Sequence, residues 1–313
     1  MKYGNFLVVG GSGFVGRHLV AALAARGAEV LVPTRRRERA KHLILLPTVD
    51  VVEADVRDSS VLAALAAGCD AVVNLAGILH GPGFQATHVE LAQAVVNACR
   101  RAGVKRLLHM SALGADPAAP SEYLRSKGIG EQAVLAADDL EATVFRPSVI
   151  FGPEDRFLNL FARLAALTPV LALASPEARF QPVYVGDVVK AMLAALESRA
   201  HLSGTGGKRY DLCGPHECTL RELVEFVCAA TGRRRLVVGL PDGLAWLQAW
   251  MLERLPVKLL TRDNLLSMRV PSVCDCVFPF GIQPAALEAT ARAWLAPAGA
   301  HERFDELRWR ARR

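Results

Sequence analysis

The sequence has no apolar run long enough to cross a bilayer, no C-x-x-C pair, no internal repeat and no low-complexity linker. The first absence removes any helix that hydropathy would read as membrane-spanning. The opening Met1-Lys2-Tyr3-Gly4-Asn5-Phe6 runs into a strand too soon for a signal peptide, so the expected compartment is the cytoplasm. The seven cysteines (Cys69, Cys99, Cys213, Cys218, Cys228, Cys274 and Cys276) are odd in number. Their only close pair, Cys274-Asp275-Cys276, has a spacing that suits neither a zinc knuckle nor a redox dithiol. They read as small apolar core residues or incidental thiols in a reducing compartment, and no structural metal is expected.

No recognised nucleic-acid-binding motif accompanies the net charge of +6, so nucleic acid is not an expected partner. The positive charge concentrates at Arg35-Arg36-Arg37, at Arg233-Arg234-Arg235 and in the tail Arg308-Trp309-Arg310-Ala311-Arg312-Arg313. The second cluster reads as a solvated loop. The tail has the make-up of a basic segment with an aromatic that touches anionic lipid or an acidic partner.

What is present is a chain of 313 residues, 52% hydrophobic, rich in alanine, leucine and valine. That composition fits a parallel sheet buried on both faces, and the length allows one large domain or two lobes. Strands are expected at Phe6–Gly10, Val30–Thr34, Asp50–Ala54, Ala71–Leu75, Arg106–Met110 and Thr143–Phe151. Helical stretches alternate with them at Gly13–Arg26, Arg39–Leu46, Val61–Ala67, Glu90–Ala102 and 123–137. The alternation predicts an α/β, doubly wound parallel-sheet Rossmann fold. The domain would fill residues 1–214, with an excursion at about 152–182, a short strand at Gln181–Val185, an N-cap at Asp187 and a last strand at Arg209–Cys213. A smaller, mainly helical lobe follows at 215–296, then the basic tail at 297–313. In that lobe the apolar helix Leu244–Leu255 presents Leu244, Trp246, Leu247, Trp250, Met251 and Leu255, which is read as a core-facing or lobe-packing stripe rather than a membrane anchor.

Gly10-x-x-Gly13-x-x-Gly16 closes the first strand and opens a helix that starts with Phe14 and Val15. Glycines there let a pyrophosphate approach backbone N–H groups at the helix N-terminus. About 20 residues on, an acidic residue would bind the free 2′-hydroxyl of NAD. Arg35 and Arg36 stand in its place and offer bidentate partners to a 2′-phosphate, so NADP(H) is preferred over NAD(H). Asp55, followed by Val56, could accept from the adenine amino group, with Asp58 the better helix cap. Leu75, Ala76 and Gly77 after Asn74 would pack the ribose and pyrophosphate side. Tyr123 and Lys127 are spaced i, i+4, which on a helix points phenol and ammonium at one place. A cation beside the phenol lowers its pKa and fits it for proton transfer.

These residues, with Ser111, resemble the short-chain dehydrogenase/reductase superfamily in its extended or atypical form. Ser111–Asp116, Tyr123–Lys127, Arg146–Asp155, Phe180–Asp187, Leu260–Asn264 and Phe280–Pro284 resemble more narrowly the bacterial relatives of subunit nine of the complex I alpha subcomplex. The resemblance covers nearly the whole chain. It implies Tyr123 as proton donor or acceptor, Lys127 as the group that holds the nicotinamide ribose, and Ser111 as the carbonyl-binding hydroxyl. It also implies Pro147 and Val149 beside the nicotinamide. Two departures stand out: Ala112 where a second hydroxyl is usual, so that either Ser111 or Ala112 fills the carbonyl-binding position, and His88 in place of an asparagine. The expected function is an NADP(H)-dependent oxidoreductase or epimerase acting on a small carbonyl, hydroxyl or nucleotide-sugar compound. The alternative is a non-catalytic NADP(H)-binding accessory protein of a respiratory complex, and a third reading, on the tryptophan helix and tail, is a peripheral membrane or quinone-linked factor. The sequence names no substrate and no oligomeric state.

Overall fold

The computed structural model describes residues 4–197, 204–255 and 259–296. The basic tail at 297–313 lies outside the described residues. In chain order the first half runs β1 (Asn5–Val9), α1 (Phe14–Ala24), β2 (Glu29–Thr34), β3 (Val49–Glu53), α2 (Ser59–Ala66), β4 (Ala71–Asn74), α3 (Leu91–Ala102), β5 (Arg106–Met110), α4 (Glu122–Leu135) and β6 (Glu141–Pro147). There follow α5 (Leu158–Leu167), α6 (Val185–Glu197), β7 (Lys208–Leu212), α7 (Leu220–Ala230), α8 (Asp242–Leu252), α9 (Arg262–Met268) and α10 (Leu287–Leu295).

The seven strands form one parallel sheet in the order β7-β6-β5-β4-β1-β2-β3. β1 and β4 are hydrogen-bonded neighbours whose crossovers leave in opposite directions, so a crevice opens between their C-terminal ends. Strands such as Phe6–Val9 and Ala71–Val73 are buried along their length because helices cover both faces. One core packs α1 and α6 through Leu19, Leu23, Val188 and Met192 on one face. The other packs α2, α3 and α4 through Leu62, Val95, Cys99 and Val134. The doubly wound sheet and the mainly helical C-terminal region are as expected.

Three local expectations need correction. The segment read as one strand over Thr143–Phe151 breaks after Pro147: Ser148 N–H donates to the Leu212 carbonyl, and Ile150–Phe151 pairs instead with Val183–Tyr184. Asp187 is not an N-cap, because α6 starts at Val185; its buried carboxylate accepts from Lys190 Nζ (2.9 Å) and from the Ala285 N–H (2.7 Å). It thus ties α6 to the second lobe. The stripe on α8 packs only in part: Trp246 lies half-buried against Ala245, Ala249 and Leu265, and the rest of the stripe faces out. Only Ala245 and Ala249 are buried there, while Leu244, Leu247, Trp250 and Met251 are each 43% exposed or more. The small alanine side lets α8 approach the lobe closely, leaving the other bulky residues outward.

Beyond the main sheet, Val170–Leu173 of the 152–182 excursion pairs in parallel with Leu236–Gly239 of the C-terminal region. No helix among the described residues is long and apolar enough to cross a membrane.

Candidate active site

The glycine turn lies at the mouth of the crevice. Gly10 has φ +81, and a Cβ on it would stand 2.9 Å from the Ala76 nitrogen, so only glycine fits between β1 and the end of β4. A Cβ on Gly16 would meet the Gly10 carbonyl at 2.4 Å, which fixes how closely α1 approaches the turn. Gly13 is the N-cap of α1 and uses no side chain to satisfy the first N–H groups, which remain available to an anion. Phe14 lies against Gly152, and His18 one turn on bonds Glu154 at 2.9 Å, so the Glu154 loop stands against the start of α1. Val15 packs on the α1-side core. Arg17, which sequence reasoning passed over, has a buried Nε with no hydrogen-bond partner in the structure, directly after the last glycine of the turn. A cation at that position was the available signal.

Arg35 and Arg36 are exposed at the end of β2. Asp55 follows β3 and is bound by Arg57: Arg57 Nε donates to both carboxylate oxygens (2.9 and 3.0 Å), and Nη2 and the Arg57 N–H add to the pair. Those bonds hold the Asp55 carboxyl down at about 2, with the Arg35 charge contributing. The carboxylate expected at the adenine is therefore part of an arginine cluster, and Arg57 joins the residues that sequence reasoning missed. Asp58 is the helix cap, accepting from Ser60 and Val61 N–H groups. Val56 packs on the α2–α3 core.

At the end of β4, Leu75 N–H donates to the Val9 carbonyl, and Asn74 Oδ1 accepts from the Ala76 N–H (3.1 Å). Asn74 Nδ2 donates to His109 Nδ1 (3.2 Å), which leaves the hydrogen on His109 Nε2, buried and without a partner. Burial lowers His109 to about 3, so its ring is neutral.

The next strand end carries the chemistry. α4 starts at the Ser121 cap, and its first turns place Tyr123 and Lys127 beside the end of β5. Lys127 is buried, and its Nζ donates to the Met110 carbonyl at 2.9 Å. The ammonium lies beneath Gly77, where a Cβ would stand 3.3 Å from it. Burial lowers Lys127 to about 8, with Glu131 pulling the other way. Ser111 is buried, and its Oγ has no hydrogen-bond partner in the structure. Ala112 is also buried, in an apolar group with Ala115, Leu124 and Tyr123. Pro147 is buried with its carbonyl accepting from Leu113 N–H, and the Val149 carbonyl accepts from Val183 N–H.

Tyr123 is half-buried, edge-on to His88 (centroids 5.6 Å apart) and to Phe84 (6.1 Å). Burial pushes its phenol up to about 12. Burial opposes the lowering expected from the i, i+4 cation, and Lys127 Nζ donates to the Met110 carbonyl. His88 lies in a π-helical turn, Gln85–Glu90, ahead of α3. Its Nε2 accepts from the Ile78 N–H (3.1 Å), so Nδ1 carries the hydrogen and donates to Ser126 Oγ (2.8 Å), which donates to the Tyr123 carbonyl (2.9 Å). Burial, then the Lys127 charge, lower His88 to about 3.

The arrangement fits a dinucleotide. A glycine cradle, a helix start, an unpartnered buried Arg17 Nε, an unpartnered Ser111 Oγ and a buried ammonium follow one another along the crevice. Beside Tyr123 a pocket of about 580 Å³ opens between the two lobes, lined by Phe84, Glu122, Trp246, Arg262, Asp263 and Leu266 among others.

Fold and site together define an NAD(P)-binding protein of the extended short-chain dehydrogenase/reductase superfamily. The chain belongs to the NAD dependent epimerase/dehydratase family, whose profile matches residues 6–211. It is 36% identical over 231 residues to the mitochondrial NADH dehydrogenase [ubiquinone] 1 alpha subcomplex subunit 9 of Arabidopsis thaliana, covering 70% of this chain and 56% of that one. It is also 36% identical over 197 residues to the ceramide reductase of Caulobacter vibrioides, covering 61% of this chain and 60% of that one. The chain thus spans less than two thirds of either relative. Among solved structures, dTDP-glucose 4,6-dehydratase from Streptomyces venezuelae with NAD and TYD bound superposes with a TM-score of 0.65 at 23% identity, over 85% of this chain and 96% of that one.

Proposed function

We propose that the chain is an NADP(H)-dependent oxidoreductase acting on a carbonyl or hydroxyl compound that carries an apolar chain. The observation that carries the reading is the convergence of Tyr123, Lys127 and the unpartnered Ser111 Oγ at one strand end, next to the glycine cradle. Bound NADP(H) supplies a hydride to, or accepts one from, the substrate carbon. Arg35 and Arg36 would grip its 2′-phosphate, Gly13 and the first N–H groups of α1 its pyrophosphate, and Lys127 its ribose. Ser111 Oγ–H would donate to the substrate oxygen, and Tyr123 would pass it the proton or take it up.

The pocket beside Tyr123 is what favours an apolar chain. Phe84, beside Tyr123, with Trp246 and Leu266 forms its apolar side, while Glu122, Glu253, Arg254, Arg262 and Asp263 bring charge to the rest, and α8 beyond Trp246 exposes Leu247, Trp250 and Met251. An acyl chain leaving the pocket would find those exposed residues. The relative named for reducing ceramide is consistent with such a substrate. The test is NADPH oxidation with a series of oxo compounds of increasing chain length. Rates that rise with chain length and vanish in Tyr123→Phe are expected; a rate insensitive to Tyr123→Phe would sink the reading.

A second reading is favoured by Ala112 and by the phenol at about 12: NADP(H) held without turnover, in an accessory protein of a respiratory complex, as the subunit-nine relative suggests. Its signature is NADPH that copurifies, resists every oxo compound, and stabilises the chain equally in wild type and Tyr123→Phe.

A further inference from the structure

Away from the crevice, the segment returning from α9 to the sheet brings three sulfurs together. Cys213 follows β7 and is buried; Cys274 is partly exposed and Cys276 exposed. Their Sγ atoms all lie within 4.8 Å of one another, a grouping that spacing alone concealed because Cys213 is distant in sequence. Cys274 and Cys276 are joined as a disulfide, and Cys213 is a free thiol. The other described cysteines, Cys69, Cys99, Cys218 and Cys228, take part in no such group.

The positions are held by hydrogen bonds from three segments. The Gln181 amide clamps both cysteine-bearing strands of chain: its Nε2 donates to the Gly214 carbonyl (2.8 Å) and its Oε1 accepts from the Cys274 N–H (2.9 Å). Ser148 Oγ donates to the Ser272 carbonyl (2.7 Å), and Ser272 N–H donates to the Arg179 carbonyl (2.9 Å). Cys276 Sγ lies 3.8 Å from the Asp211 carbonyl oxygen on β7.

We propose that Cys213, Cys274 and Cys276, when reduced, form a three-thiolate site for one thiophilic cation, Zn²⁺ or Cu⁺. Thiolates around a cation at a metal–sulfur distance of ~2.3 Å stand roughly 3.8 Å apart, which three sulfurs already within 4.8 Å of one another reach by small rotations. Sulfur-only donors select soft cations over Mg²⁺ or Ca²⁺. Opening the disulfide takes two electrons and two protons from a dithiol, which becomes its own disulfide and leaves three thiols. Binding the cation then releases those thiol protons to solvent. Disulfide and cation therefore compete for the same sulfurs. The bound cation ties the end of β7 to the second lobe next to Leu212, whose carbonyl accepts from Ser148 in the segment Pro147–Val149.

The test uses the full chain without a metal-binding tag, reduced with a dithiol, freed of it anaerobically, and titrated with Zn²⁺. One zinc per chain retained after desalting, with the three thiols protected from alkylation, is expected. Co²⁺ in its place should give a thiolate-to-metal charge-transfer band and the visible intensity of a tetrahedral site. Because Cys213 is buried, the informative variant is Cys276→Ser at an exposed position: it should weaken binding about tenfold or more and diminish the band, since two thiolates remain. Cys228→Ser should leave both unchanged. Cu⁺ held against a chromophoric chelator in place of Zn²⁺ upholds the site and assigns it copper. No retained cation of either kind, retention unaffected by Cys276→Ser, or reclosure of the disulfide in the presence of either ion overturns the proposal.

Discussion

Asp263, in the second lobe, caps the helix that carries Tyr123. Its Oδ1 accepts from the Glu122 N–H at 2.7 Å and its Oδ2 from the Tyr123 N–H at 3.1 Å. The Ser121 hydroxyl serves only the Leu124 N–H, so without Asp263 the first N–H groups of α4 lose their partner. A carboxylate at that end also suits the helix dipole. Asp263 is itself fixed in α9, where Thr261 and Asn264 form a reciprocal cap. The second lobe therefore positions the phenol through the backbone of α4.

Asp263→Ala should lower stability by about 1–2 kcal/mol, the usual cost of a lost cap. It should also reduce turnover more than NADPH affinity, since α1 and β2 are untouched. Chemical denaturation and a comparison of kcat with cofactor Kd check this. Equal loss in both would show that Asp263 supports the whole cleft rather than the phenol.

Arg35→Ala tests the cofactor preference. A charge-assisted contact to a 2′-phosphate contributes roughly 2 kcal/mol, so NADPH should bind about thirtyfold more weakly. NADH, with no phosphate there, should be little affected. Fluorescence titration of both cofactors decides it, and equal weakening removes the phosphate assignment.

How much of this was readable beforehand depends on range. The β1 turn and α1 were legible because Gly10, Gly13 and Gly16 act within one loop, and Tyr123 and Lys127 because one helical turn relates them. The roles of Asp263 and Cys213 were not, since each depends on a partner far away in the chain. Val170–Leu173 escaped because two of its four residues are exposed and its ladder partner lies beyond Arg235. The periodicity of α8 was legible but its direction only in part: an apolar stripe says that one side is greasy, and only packing says that Ala245, Ala249 and Trp246 turn inward while Leu247, Trp250 and Met251 turn outward.

Lys127 should leave a pH signature. Its folded pKa of about 8 lies below the usual 10.5, because burial disfavours the ammonium. Between those values the unfolded chain binds more protons than the folded one, so stability rises with pH from about 8 to 10.5. Below 8 the whole penalty is present, of the order of 3 kcal/mol. Lys127→Met should therefore stabilise the cofactor-free chain at neutral pH and flatten that slope. Denaturant midpoints across this range check it; a slope retained in Lys127→Met would assign the effect elsewhere.

His88 works in the same direction at lower pH. Its folded pKa of about 3, against 6.5, means that the unfolded chain again binds the extra proton between those values. Stability should fall as pH drops below about 6.5, by up to 1.4 kcal/mol per unit for each such histidine, and His109 contributes alike. His88→Phe should remove one share of this slope. It should also leave the half-buried Ile78 N–H without its acceptor, at about 1 kcal/mol. His88→Asn would remove the titration while offering an acceptor, and recovery of stability at neutral pH would show that the ring serves as a hydrogen-bond bridge. The bridge runs from Ile78 through Ser126 to the Tyr123 carbonyl, so a loss of kcat in His88→Phe, recovered in His88→Asn, would mean that the residue holds the phenol in place. Loss in both variants would mean that the imidazole itself is required.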